Sequence, residues 1–442
     1  MKKIFVAGAG LVVRPLVGYL LDQPDFQVEV GDVEPDRAAR LVAGRPRGTA
    51  VILDIQDEAA LRNRIAGADL VVSMVPYTFH PVIGRIAIDL GKPMVTASYV
   101  SPAMKALDED ARRKGVILLN ELGLDPGIDH MEAMRVIHRI KGGGGQVLGF
   151  VSWCGGLPAP EANTNPFGYK FSWSPKGVLL AGKNSARYLE DGKVVFIPSE
   201  KLFESCRTIS IPGCGDFEGY PNRDSVSYAD AYGIPDAKTM LRGTLRYAGW
   251  CATMKKIGDL GLLDQEERKL AGMTYAGLVG ELAHAGPGAN LKKAVGTVLR
   301  LAQDSAVLGR MEWLGLFEGK LIPAGVGTAL DALAALMIEK LRYEEGERDM
   351  IVLRHEFLAG WPDGRTERIV STLIDHGIPH GDSSMSRTVG LPAAIGARLI
   401  LEGKILKTGV QTPIDPSIYG PVLEELSRHG IAFREERFDA KV

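Results

Sequence analysis

Six short apolar runs, at residues 4–7, 28–30, 51–53, 70–75, 94–97 and 116–119, constrain this chain more than any other feature. Each is too short for a helix and suits a buried strand. Helical spacings separate most of them: Leu16, Leu20 and Leu21; Ala38, Leu41 and Val42; Leu61 and Ile65; Ile83, Ile86 and Leu90. Apolar strands alternating with amphipathic helices predict an α/β fold, a Rossmann-like doubly wound parallel sheet. Ligands of such sheets bind where strand ends break into turns, so those turns are the places to look for function.

The first turn reads Gly8-Ala9-Gly10-Leu11-Val12-Val13-Arg14-Pro15. In a dinucleotide site, the first two glycines make the tight turn and let backbone approach the pyrophosphate at the next helix N-terminus. The third fingerprint glycine would fall at Val13 and is missing. A plain α/β sheet with a glycine turn would look similar at this point alone. Asp32 ends the second strand, at the offset where a carboxylate bonds the adenine ribose. A negative group there repels a 2′-phosphate and favours NAD over NADP, although Arg37 and Arg40 could still accommodate a phosphate. Asp54 ends the third strand, where it could approach the adenine edge. Val75-Pro76-Tyr77 ends the fourth, near the expected nicotinamide ribose, and Thr96-Ala97-Ser98-Tyr99 ends the fifth.

The sixth run delivers the chain into Asn120-Glu121-Leu122-Gly123-Leu124-Asp125-Pro126-Gly127-Ile128-Asp129-His130. Two glycines and a proline fix an unusual backbone path, and a helical spacing follows at Met131, Met134 and Ile137. The expectation is that residues before this turn hold a nucleotide and most of those after it hold a substrate.

Beyond the glycine run 142–145, a strand is expected at 147–152. Then comes Trp153-Cys154-Gly155-Gly156-Leu157-Pro158, followed by Asn165-Pro166-Phe167-Gly168-Tyr169-Lys170-Phe171-Ser172-Trp173. Aromatics, glycines and prolines at this density suit a rigid loop shaping a pocket, or equally a structural loop over a sheet face. Strands at 193–197 and 208–211 suggest an α+β part. Arg223 and Arg246 stand beside Ser, Thr and Tyr. A guanidinium fork matches a carboxylate bidentately, so both are candidate carboxylate clamps. Residues 253–340 read as helical, with Asp264 and Glu267 as a capping-box start. Hairpin strands are expected at 352–357 and 369–373. A last helix, marked by Leu391, Ile395 and Leu399, is expected to cover the first sheet.

Composition narrows the function classes. The 442 residues have a net charge of −2, 45% hydrophobic and 24% charged content, which fits a globular protein and offers no basic surface for nucleic acid. The four cysteines form no C-x-x-C pair, and the eight histidines form no H-E-x-x-H motif, so no metal site is expected. No G-x-S-x-G elbow supports a serine triad. The N-terminal apolar run is broken by glycines and Arg14-Pro15, and no stretch suits a membrane span, so the expected compartment is the cytoplasm.

Residues 120–130, 152–175, 219–225 and 243–247, in this order and spacing, resemble the glutamate-forming saccharopine dehydrogenases, and the resemblance runs through Gly390-Leu391-Pro392. It implies interconversion of saccharopine with L-glutamate and 2-aminoadipate 6-semialdehyde, using a nicotinamide cofactor. It further implies a dinucleotide-binding domain at 1–126 completed by 390–442, an α+β substrate and dimerisation domain at 127–252 and 341–389, a small helical domain at 253–340, and a homodimer. By the same resemblance, the cofactor contacts are Gly8, Ala9, Gly10, Leu11, Val12, Asp32, Asp54, Ile55, Val75, Thr96, Ala97, Leu124, Asp125 and Pro126. The substrate contacts it implies are Ser98, Tyr99, Asp125, Arg223, Thr244 and Arg246. NADP-using members carry a basic or hydroxyl-bearing segment where Gly31-Asp32-Val33 stands here, which supports NAD.

Saccharopine carries three carboxylates and a secondary amine, so its site needs cations, and Arg223 and Arg246 are the expected ones. Hydride transfer from the C–H beside the amine gives an imine, and water then releases aldehyde and glutamate. The base candidates are Asp125, ranked first, then Tyr99, Cys154 and a bound water. Each has a plainer role open to it: Asp125 as a helix cap, Tyr99 as a carboxylate ligand, Cys154 as packing. Two other readings compete: a related imine reductase acting on a carboxylated polyamine precursor, and a nucleotide-binding regulator without chemistry.

Overall fold

A computed structural model describes residues 1–440. The chain divides into two compact units, the first holding residues 1–146, 360–365 and 381–436, the second 147–359, 366–380 and 437–440.

In the first unit the six expected strands are present: β1 (Lys2–Ala7), β2 (Phe26–Asp32), β3 (Gly48–Ile52), β4 (Leu70–Ser73), β5 (Met94–Thr96) and β6 (Ile117–Leu119). Between the first five run α1 (Arg14–Asp22), α2 (Pro35–Val42), α3 (Glu58–Ala66) and α4 (His80–Leu90). The sheet order is β6-β5-β4-β1-β2-β3, and neighbouring strands pair in parallel. A seventh strand, Gly409–Gln411, adds to β6. Ile4, Phe5, Val6 and Ala7 are all fully buried, because helices cover both faces of the sheet. Phe5 and Ala7 pack with Leu61 of α3 and with Ile83 and Ile86 of α4. Helix Ser384–Leu401 packs on α1, which is the cover expected for the final helix. The strand order reverses between β1 and β4, and the turns after β1, β2, β4 and β5 gather at the carboxyl end of the sheet.

The second unit is built on β7 (Gln146–Pro158), β8 (Ala186–Glu190), β9 (Lys193–Ile197), β10 (Arg207–Ile211), β11 (Gly215–Pro221), β12 (Thr239–Arg246), β13 (Asp349–Gly360) and β14 (Thr366–His376). The order is β10-β11-β12-β7-β13-β14, ending on strand Arg434–Ala440, with the β8–β9 hairpin attached to β12. Helices from Trp250–Asp259 to Ala329–Lys340 share one apolar core with Phe167, Tyr169 and Phe171.

Two local expectations change. β7 runs through Trp153-Cys154-Gly155-Gly156 to Pro158, so Cys154 stands on a central strand rather than in a loop. Pairing with neighbours on both sides holds that strand where its glycines hide the apolar alternation. Asp264 starts no helix: its carboxylate meets Lys183 at 3.4 Å, and the next helix, Tyr275–Leu282, is capped by Thr274, which accepts from Gly277 N–H. The strands Gly409–Gln411 and Arg434–Ala440 carry no readable signal, one being three residues long and the other largely charged. No helix among the described residues is long and apolar enough to cross a membrane.

Candidate active site

The first unit places the nucleotide candidates on adjoining strand ends. Gly8 has φ +100°, and a Cβ there would lie 2.8 Å from the Met74 carbonyl oxygen and 3.3 Å from Val75. Only glycine lets this turn lie against the end of β4. Gly10 meets no protein atom within 4 Å of its Cβ position, so the fold itself does not demand glycine there. Close approach of a ligand would. Leu11 is 66% exposed and Val12 half-buried. Asp32 accepts Ala9 N–H at 2.7 Å and Glu34 N–H at 2.9 Å, which ties the glycine turn to the end of β2. Its carboxylate keeps lone pairs for ribose hydroxyls. Asp54 is exposed, with Ile55 half-buried behind it. These residues fit a dinucleotide, since they offer a tight backbone turn, a helix N-terminus and an acidic group at the ribose offset.

The end of β5 is laced to the turn that follows β6. Leu122 N–H donates to the Thr96 carbonyl at 3.2 Å, and Glu121 N–H to the Ser98 carbonyl at 3.0 Å. Ala97 Cβ lies 3.0 Å from where a Gly123 Cβ would stand. A Cβ on Gly127, at φ +146°, would sit 2.0 Å from the Gly123 carbonyl oxygen, so this crossing requires glycine. Glu121 pins the turn: it accepts Val100 N–H at 2.9 Å and lies 2.8 Å from His130 Nε2. Asp129 accepts Gly127 N–H at 2.6 Å. Within this frame Tyr99 OH donates to Asp125 Oδ1 at 2.7 Å, which joins two of the three side-chain base candidates. Leu124 and Pro126 are buried on either side of Asp125.

Sequence reasoning passed over His80. Its ring is 4% exposed, with Nδ1 2.7 Å from Ser73 Oγ and Nε2 2.8 Å from Ser98 Oγ. Burial pulls its pKa down to about 4, so the ring is neutral. Its only signal was a histidine before a proline at the start of a helical spacing.

In the second unit β12 carries both Thr244 and Arg246. Thr244 is in register with Cys154 on β7 and with Tyr220 on β11, so the third base candidate joins the substrate candidates there. The Arg246 guanidinium lies 5.0 Å from the Tyr169 ring centre and 5.6 Å from that of Trp250. It is 5% exposed, donates to the Leu245 carbonyl at 2.9 Å, and leaves its buried Nε without a partner. Its cross-strand neighbour Glu218 turns away and accepts Gly249 and Cys251 N–H, each at 2.8 Å. Among the described residues no carboxylate pairs with Arg246. Burial pushes the Tyr220 phenol up to about 12, so it stays neutral beside this cation. A buried guanidinium with aromatic neighbours and no counter-ion has the chemistry to receive an anion. Arg223 is exposed at φ +52°, five residues beyond Glu218, so the two arginines start from opposite ends of the β11–β12 ladder.

The loop containing Tyr169 is held by Lys170, whose ammonium bonds Glu347 at 2.6 and 2.5 Å. Among the described residues one group of metal-capable side chains is present: ligand atoms of Cys206, Glu218 and Cys251 lie within 4.8 Å of one another. Burial raises both thiols above the usual cysteine range, which disfavours the thiolates a metal needs. Glu218 serves the helix N-terminus there.

Comparison with known proteins identifies the family. Residues 4–119 match the saccharopine dehydrogenase NADP binding domain, and residues 123–431 the saccharopine dehydrogenase C-terminal domain. The chain is 40% identical to saccharopine dehydrogenase [NADP(+), L-glutamate-forming] of Saccharomyces cerevisiae, over 98% of this chain and 99% of that one. The Schizosaccharomyces pombe enzyme of the same name is 38% identical, over 99% and 100%. The rat mitochondrial alpha-aminoadipic semialdehyde synthase is 38% identical, with 98% of this chain matching 48% of that longer one. The solved apo saccharopine dehydrogenase (L-Glu forming) of S. cerevisiae superimposes with a TM-score of 0.89 at 38% identity, over 99% of this chain and all of that one. The chain therefore belongs to the saccharopine dehydrogenase family.

Proposed function

We propose that this protein is a glutamate-forming saccharopine dehydrogenase of lysine metabolism. It converts saccharopine, oxidised nicotinamide cofactor and water into L-glutamate, 2-aminoadipate 6-semialdehyde, reduced cofactor and a proton. The observation that carries this reading beyond family membership is the buried Arg246 guanidinium with no carboxylate of its own. No observation favours the polyamine-precursor or regulator readings. We assign nucleotide binding to residues 1–126 with 390–442, substrate binding and dimerisation to 127–252 and 341–389, and a helical part to 253–340. We place the enzyme in the cytoplasm as a homodimer.

When bound, the cofactor supplies hydride acceptance. Every other part belongs to the chain. Gly8 to Val12 receive the pyrophosphate, and Asp32 the adenosine ribose, with Asp54 and Ile55 nearer the adenine. Val75, Thr96, Ala97, Leu124, Asp125 and Pro126 border the nicotinamide end. Arg246 and Arg223 hold substrate carboxylates, with Ser98 and Thr244 as neutral hydrogen-bonding partners. Orientation of the reacting C–H is the main contribution to rate. Asp125, steadied by the Tyr99 hydroxyl, takes the proton of the substrate amine. The same carboxyl returns it to the nitrogen when the hydrated imine collapses and the C–N bond breaks. Tyr99 and Cys154 are the second and third choices for that role.

The two yeast relatives use NADP(+). For this chain we propose NAD as the preferred cofactor. Asp32 would repel a 2′-phosphate, Val33 beside it is exposed and apolar, and Arg37 is paired with Glu34 at 2.8 Å. The test follows absorbance of the reduced nicotinamide with saccharopine and each cofactor, together with glutamate release. Equimolar glutamate and a higher kcat/KM with NAD are expected. Preference for NADP would overturn the cofactor reading, and no reduction with either cofactor would overturn the function.

A further inference from the structure

We infer that His80 is a positioning residue for this reaction: it fixes the Ser98 hydroxyl and sets whether Ser98 donates to the substrate or accepts from it. The inference rests on the reading that Ser98 contacts saccharopine.

The geometry is a linear chain of three groups. Ser73 ends β4 and is fully buried, and His80 opens α4 with Pro81 behind it. Ser98 follows β5 and is the half-buried member. Imidazole bridges the two hydroxyls at 2.7 and 2.8 Å, with Thr96 Oγ1 a further 3.3 Å neighbour of Nε2.

A neutral imidazole must donate at one nitrogen and accept at the other. If Nδ1 carries the proton, it donates to Ser73 and Nε2 accepts from Ser98. Ser98 then turns lone pairs outward, suited to the substrate N–H. If Nε2 carries the proton, it donates to Ser98, whose hydroxyl hydrogen is free for a carboxylate. Either way the Ser98 oxygen is held against the imidazole and one of its hydrogen-bonding directions is used. A side chain needed only as filler among the buried residues of α4 would be apolar, since a buried imidazole must have both nitrogens satisfied. The polar chain has one end near solvent, and that end is Ser98.

Asn and Gln separate positioning from packing. Gln at 80 carries its amide near the Nε2 position and can still bond Ser98. Asn carries its amide near Nδ1 and can bond only Ser73. Steady-state rates would be measured for H80Q, H80N, S73A and S98A, with thermal melts on each. Loss of one neutral hydrogen bond corresponds to roughly tenfold at most. The expected result is about a tenfold fall in kcat/KM for saccharopine in H80N, mostly recovered in H80Q, with the KM for NAD unchanged in both. Equal falls in H80N and H80Q, or none in either while S98A is impaired, would overturn the inference. Wild-type saccharopine kinetics in S98A would instead overturn the assignment of Ser98. Should H80N fail to fold, S73A decides. It frees the far end of the chain, and a saccharopine-specific loss of a few-fold supports the inference, whereas unchanged kinetics overturn it.

Discussion

Arg246→Met separates binding from folding. Methionine keeps the length of the side chain and its packing on Tyr169 and Trp250, and removes the charge. In the free enzyme that charge has two aromatic rings and one backbone carbonyl as partners and is 5% exposed. Replacing buried ionic groups by apolar residues of similar size is often neutral, or stabilising by about 1–4 kcal/mol. The melting temperature of the free variant is therefore expected at or above wild type. Binding should respond in the opposite direction. Truncating one partner of a desolvated, hydrogen-bonded charge pair costs about 2–5 kcal/mol. At about 1.4 kcal/mol per factor of ten, the KM for saccharopine should rise about thirty- to four-thousand-fold. Initial rates against saccharopine at saturating NAD, with melts of the free protein, provide the assay. A KM within about threefold of wild type would refute the reasoning, because a desolvated carboxylate partner cannot be lost so lightly.

Three further outcomes are expected. Asp32→Gly removes the acceptor of Ala9 and Glu34 N–H, and should weaken NAD while raising the ratio of NADP to NAD activity; an unchanged ratio in parallel assays would count against the ribose assignment. Gly8→Ala places a Cβ 2.8 Å from the Met74 oxygen at φ +100°. Strain of about 1–3 kcal/mol should weaken NADH at least several-fold in a fluorescence titration, and tight binding would contradict the close turn. His80 has a folded pKa of about 4 against 6.5 unfolded, so the unfolded chain alone takes up its proton between those values. Stability from this group is whole above pH 6.5 and falls by up to about 3 kcal/mol as pH drops to 4. Denaturant melts at pH 7 and 4.5 should show that loss shrinking in His80→Gln, and identical pH dependence in both proteins would contradict it.

What was legible in the sequence was what a local period or a fixed offset carries. Residues buried on both faces of β1 to β6 had to be apolar runs, so the parallel sheet could be read directly. Asp32 was found because its distance from Gly8 is set by one strand–helix–strand unit. The turn at Gly123 to Gly127 was readable because such a crossing tolerates no side chain. What was not legible depended on pairing across distance. Glu218 and Arg246 are register partners 28 residues apart, and nothing local says that Glu218 turns to Gly249 and leaves the guanidinium uncompensated. Trp250 gave no signal as a neighbour of that guanidinium. Cys154 was misplaced in a loop because Gly155 and Gly156 mask a central strand. Asp264 looked like a cap because the Lys183 that meets it comes from far along the chain.

The most direct test is a crystal structure of the enzyme with NAD and saccharopine bound. A saccharopine carboxylate is expected about 2.7–2.9 Å from the Arg246 guanidinium nitrogens, including Nε. A complex in which the guanidinium touches no substrate carboxylate would contradict an anion-receiving role for its buried, unpaired charge.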